Sequence, residues 1–66
     1  MSTLAEGKMW EAEDVAEYLS VTKAWVYSEV RAGRIPHVRL GRYVRFRKAA
    51  LDAWLEQRET GMLPHP

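Results

Sequence analysis

Residues 20–48, SVTKAWVYSEVRAGRIPHVRLGRYVRFRK, decide how this chain is read. Apolar positions recur at helical spacing in the first half, and the second half switches to alternation. The stretch also holds eight of the ten cations, Lys23, Arg31, Arg34, Arg39, Arg42, Arg45, Arg47 and Lys48, against one acid, Glu29, for a net charge of +7. The remainder sets Lys8 and Arg58 against Glu6, Glu11, Glu13, Asp14, Glu17, Asp52, Glu56 and Glu59, a net −6. The overall charge of +1 therefore conceals a dipolar layout. A basic middle between acidic flanks is an electrostatic footprint for a polyanion.

Within this stretch Thr22 is a good N-cap, and a helix is expected from about Lys23 to Ala32, stopped by Gly33. Pro36 confirms that the chain has left helical geometry. At 100° per residue, Val26 and Val30 define the buried side. Ala24, Ser28 and Arg31 lie opposite, with Trp25 and Tyr27 on the two flanks. A small, polar and basic outer face on the second helix of a helix–turn–helix is what a major-groove reader requires.

In HVRLGRYVRFR, residues 37–47, Val38, Leu40, Val44 and Phe46 alternate with His37, Arg39, Tyr43, Arg45 and Arg47. With the reversal at Gly41–Arg42, this predicts a hairpin with one apolar and one cationic face. Upstream, Val15, Ala16 and Leu19 form the apolar stripe of a short first helix, with Glu11, Glu13 and Asp14 in or just before its first turn, where the helix dipole favours negative charge. Ser20–Val21 breaks that pattern. Downstream, a last helix is expected from about Lys48 to Arg58, with Leu51, Trp54 and Leu55 on one side and Asp52, Glu56 and Glu59 towards solvent. Gly61 and the prolines that follow end it.

At 66 residues the chain is one domain at most, with a single core supplying about 3–5 kcal/mol. Residues 1–8 are expected to be a flexible lead-in, 9–59 the domain, and 60–66 a flexible tail. There is no cysteine, which excludes disulfides and thiolate zinc sites. His37 and His65 are the only imidazoles and no carboxylates cluster with them, so no metal site and no cofactor are expected. No apolar run is long enough to span a bilayer and the N-terminus lacks a signal-peptide core, so a cytoplasmic, nucleoid-associated protein without membrane contact is expected. A catalytic triad lacks its parts, because Ser28 and His37 have no third partner, and no enzyme activity is expected.

Residues 13–55, EDVAEYLSVTKAWVYSEVRAGRIPHVRLGRYVRFRKAALDAWL, about two thirds of the chain, resemble the small winged helix-turn-helix domains of the phage excisionase and MerR-like superfamily. The most specific pieces are VAEYLSV, the AGRIP step out of the second helix, and RLGRYVRFRKAALDAWL. The resemblance implies an α+β, mainly helical fold of three short helices and a two-stranded wing. It implies that the second helix enters the major groove while the hairpin reaches the minor groove or phosphates. Carried over by position, Lys23, Tyr27, Ser28 and Arg31 match the recognition helix, and Arg39, Arg42, Tyr43, Arg45 and Arg47 match the wing. Two positions depart from the pattern: Trp25 stands where a small residue is usual, and Glu11 replaces the Thr or Ser cap of the first helix. MerR proper also carries a coiled coil and an effector domain, for which 66 residues leave no length.

Among the recognition-helix candidates, Ala24 and Ser28 can approach bases closely. Trp25 has two open readings: stacking on a deoxyribose or thymine methyl, or folding over Val21 to cover a thin core. Tyr27 is expected to offer its hydroxyl to a phosphate, and Glu29 to pair with a neighbouring arginine rather than a cytosine. Trp10 and Trp54 fall on apolar stripes and read as core, and His37 as a bystander. The expected function is sequence-specific binding of double-stranded DNA, as an excisionase-type recombination directionality factor acting architecturally with an integrase or with adjacent copies of itself. The free form is expected to be a monomer. The alternatives are a compact MerR-like transcriptional regulator, a protein-interaction module with a basic docking face, and an RNA-binding module. The last lacks an aromatic sheet face, with only Tyr43 on the hairpin's open side.

Overall fold

The computed structural model describes residues 8–61. The elements follow in the order α1 (Ala12–Leu19), α2 (Lys23–Ala32), β1 (Val38–Leu40), β2 (Tyr43–Arg45) and α3 (Lys48–Arg58). This is a winged helix-turn-helix, mainly helical, with a two-stranded antiparallel hairpin between the second and third helices. Of the expected lead-in and tail, residues 1–7 and 62–66 lie outside the described residues.

Each helix boundary has a local cause. Glu11 occupies the N-cap of α1, and its backbone N–H donates to the Asp14 carboxylate at 2.9 Å, the half of a capping box in which the third helical residue reaches back to the cap. Thr22 caps α2, its hydroxyl accepting from the Trp25 N–H at 3.0 Å. Both α1 and α2 stop at a left-handed residue followed by a backbone bond that spans five residues. Ser20 sits at φ 60° and Val21 N–H donates to the Ala16 carbonyl at 2.9 Å. Gly33 sits at φ 72° and Arg34 N–H donates to the Glu29 carbonyl at 2.9 Å. The two ends are the same closing motif, built once on glycine and once on serine.

The core is small: Ala12, Val15 and Ala16 of α1, Val26 and Val30 of α2, Ile35, Phe46 and Leu51. Trp10, Leu19, Val21, Val44 and Trp54 pack around it half-buried, so both tryptophans expected in the core lie at its margin. Phe46, fully buried, exchanges two 2.8 Å backbone hydrogen bonds with Trp10. That bridge lays the segment before α1 beside the chain leaving the wing, a pairing invisible in the alternation pattern.

Arg34 fixes how the chain leaves α2. Besides its backbone bond to Glu29, its guanidinium donates to both carboxylate oxygens of Glu29, at 2.9 and 3.1 Å. The indole N–H of Trp54 donates to the Arg34 carbonyl at 2.9 Å, tying α3 to the same corner, and Arg58 lies over the Trp54 ring. The Arg34 hydrogen bond is the leading cause of a lowered Glu29 pKa.

Phe46→Ala is expected to cost about 3–5 kcal/mol, comparable to the whole stability of so small a domain. The variant should lack a cooperative thermal transition in circular dichroism. Ser20→Gly removes a left-handed β-carbon and is expected to stabilise by up to about 1 kcal/mol, which raises the melting temperature by a few degrees. For Glu29, a carboxyl held below its ordinary 4.5 binds fewer protons in the folded chain than in the unfolded one. Its contribution is therefore complete above that value and is lost as pH falls through the folded pKa. The melting-temperature gap between the natural chain and Glu29→Gln should be widest near neutral pH and close in acid.

Candidate nucleic-acid interface

The outer face of α2 is set by what its inner face buries. Val26, Glu29 and Val30 point inward, leaving Ala24, Ser28 and Arg31 exposed on the opposite side. Lys23 and Tyr27, the latter 40% exposed, stand on one flank, while Trp25, 38% exposed, stands on the other, outside the core cluster. Val21 packs at the margin of the core, and Trp25 is not part of that cluster. Glu29 has both oxygens committed to Arg34, so it is a structural anchor at the base of this face rather than a group free to meet a cytosine.

Pairing sorts the eight cations of residues 20–48. Arg34 is bound to Glu29, and the Lys48 ammonium to Asp52 at 2.8 Å. The Asp52 carboxylate also accepts from the Tyr18 hydroxyl, and Lys48 lies over the Tyr18 ring, a small cluster that joins α1 to α3. The Lys48 hydrogen bond lowers the pKa of Asp52, and acceptance by Asp52 raises that of Tyr18. All three groups are well exposed, and the cluster orients α3 more than it stabilises the fold. The six other cations, Lys23, Arg31, Arg39, Arg42, Arg45 and Arg47, pair with no carboxylate among the described residues. Lys23 and Arg31 belong to α2, Arg39, Arg42 and Arg45 to the hairpin, and Arg47 to the N-cap of α3. Five of these six lie on the two elements expected to meet DNA and Arg47 lies just beyond them; outside residues 20–48, Lys8 and Arg58 likewise have no carboxylate partner among the described residues.

The hairpin departs from its expected faces. The register pairs Val38 with Arg45, Arg39 with Val44 and Leu40 with Tyr43. Directly paired residues share a face, so Val38, Leu40, Tyr43 and Arg45 lie on one side and Arg39 and Val44 on the other. The expectation of one apolar and one cationic face is wrong. A two-residue reversal sets each even-numbered residue of β1 opposite an odd-numbered one of β2, and the alternation changes sides across the turn. Val44 and the following Phe46 reach the core, whereas Leu40 and Tyr43 stand 51% and 52% exposed beside the turn. Gly41, at φ 65°, opens that turn. A side chain there would meet no neighbour, so glycine is required by the backbone angle alone.

The wing candidates thus divide. Arg39 shares its face with Val44, and Tyr43 and Arg45 occupy the other. Arg42 is in the turn, and Arg47 is at the N-cap of α3. Arg42 and Arg45 both lie over the Tyr43 ring, 5.6 and 5.2 Å from its centre, and Arg45 also donates to the Val44 carbonyl at 3.0 Å. His37 is half-buried, with a 2.8 Å contact between Nδ1 and the Ile35 carbonyl. Leu40 was missed as a candidate because the alternation put it on the core face. The signal that could have found it was the length of the turn.

Among the described residues no helix is long and apolar enough to cross a membrane, and no cluster of potential metal ligands occurs. No curated protein and no solved structure matches the chain. A family model described as a helix-turn-helix domain matches residues 11–59, from the N-cap of α1 to the C-cap of α3, about three quarters of the sequence. With this match, the order of its elements and the uncompensated charge on α2 and the hairpin, the chain belongs to the helix-turn-helix domain family of DNA-binding proteins.

Proposed function

We propose that this protein binds duplex DNA sequence-specifically, with the outer face of α2 in the major groove and the hairpin against the adjacent minor groove or phosphates. Its output would be architectural, as an excisionase-type recombination directionality factor. The observation that carries this is the charge sorting. Six cations without acid partners lie on α2 and around the hairpin, beside an α2 face of small and polar side chains. Arg39, Arg42, Arg45 and Arg47 then supply phosphate contacts, which position the protein without reading sequence. Ala24 and Ser28 let the helix approach base edges, with Lys23, Tyr27, Trp25 and Arg31 at the groove walls.

A monomer of this size reads few base pairs, so occupancy would come from adjacent copies on DNA or from an integrase partner that raises the local concentration.

Competition binding against cognate and scrambled duplexes tests the docking. Arg31, in the last turn of α2, is better placed for backbone than for base, and Arg31→Ala should weaken both duplexes by similar factors. Ser28→Gln, at mid-helix, should change the ratio between them, since a mismatched base contact is worth roughly 1–3 kcal/mol. If the Ser28 variant lost neither affinity or both equally, α2 would not be the reader. For the wing, replacing Arg42 and Arg45 by Ala should flatten the slope of log K against log salt by roughly one to two units. An unchanged slope would remove the wing from the interface.

A further inference from the structure

The corrected register leaves an apolar pair in an unusual place. Leu40 and Tyr43 are directly opposed on one face of the hairpin, immediately before and after the two-residue turn, and among the described residues they are the two most exposed of the large hydrophobic side chains. Single exposed apolar residues are ordinary on any protein surface. This pair differs in its setting: from His37 to Lys48 the chain has no acid, Arg42 sits in the turn, and Arg45 shares the pair's face. Two guanidinium groups lie over the Tyr43 ring, and one of them is tethered to the Val44 carbonyl. The ring is held by cations rather than by packing. The occupant that fits an apolar point inside a positive collar must present dense negative charge around a stackable interior. Duplex DNA has that arrangement, phosphates outside and base pairs within.

We propose that Leu40 and Tyr43 form a wedge that enters the minor groove at a base step and kinks the duplex, while Arg42 and Arg45 engage the flanking phosphates. The inference rests on the DNA-binding function above and adds a deformation to it. Two strands about 4.8 Å apart, with side chains, cannot sit in a groove about 6 Å wide without opening it. Apolar side chains that enter between base pairs unstack the step and bend the helix towards the major groove. Flexible pyrimidine–purine steps such as TA or CA deform at least cost, so the wedge would also favour such a step beneath the wing.

The test uses the full chain and a short duplex carrying 2-aminopurine at central TA steps, with a fluorophore pair at its ends, at low salt. Binding of the natural chain should brighten the 2-aminopurine and shorten the end-to-end distance. The double variant Leu40→Ala, Tyr43→Ala should bind within about tenfold of the natural affinity, since phosphate contacts dominate, yet lose both signals. The pair Leu40→Met, Tyr43→Phe should keep them. Thermal melts check that both variants fold, as expected for side chains outside the core. A natural chain that binds without brightening or bending would overturn the wedge and leave DNA binding intact. So would an alanine variant that bends as well as the natural chain. A natural chain that binds no duplex, but whose tip is protected by an acidic protein, would overturn both.

Discussion

The arrangement of this protein depends on how Phe46 is held. Its ring is fully buried among side chains from α1, α2 and α3, and both of its backbone polar groups are bonded to Trp10. A hairpin of three-residue strands has little stability of its own. Here its second strand runs directly into a residue that is fixed on two counts, by burial and by an extra rung of backbone pairing. The same rung anchors the chain just before α1. Wing and helix-turn-helix are thus referred to one point, and the base of the wing is fixed while its tip remains free to meet a ligand.

A second constraint fixes the other end of the hairpin. Arg34 grips Glu29 through both main chain and side chain, and Ile35 is buried immediately after it. The chain therefore leaves α2 in one direction, and the strands start from a defined place. This arrangement has a consequence for charge. Glu29, the single acid among residues 20–48, is consumed in building the corner, and Lys48 is consumed by Asp52 in orienting α3. Structural needs take two of the eight cations of the basic stretch, Arg34 and Lys48, and the other six are left without an acid partner among the described residues.

The helices were legible in the sequence because their signals are local. Thr22 as a cap, Gly33 as a stop, Val26 and Val30 as the inner stripe, and the bounds of α3 follow from side-chain chemistry and a 3.6-residue period. Ser20 was seen only as a break, since serine carries no statistical mark of the left-handed conformation that it adopts here. Nothing local marks the Trp10–Phe46 bridge, because its partners lie 36 positions apart. The hairpin faces were legible in principle. Its two-residue turn was recognised, and the error lay in carrying one alternation through it. For the site, the outer face of α2 could be derived from what α2 must bury, but the pairing of cations with acids depends on tertiary placement and could not.

That error bears on how a wing is built. Were the hairpin divided into an apolar and a cationic face, its arginines would form a flat surface suited to lying along phosphates. The mixed faces place Val44 inward towards the core and expose Leu40 and Tyr43 at the tip, beside Arg42 and Arg45. Solubility alone does not require this, since a polar residue at position 40 would serve the fold as well: Leu40 contributes nothing to the core cluster. An apolar group placed where water meets it costs the free protein hydration free energy that burial against a ligand can recover. The arginines supply attraction at a distance and the apolar pair supplies contact once water is expelled. The two act at different stages of one encounter, which is why they can share so small a tip.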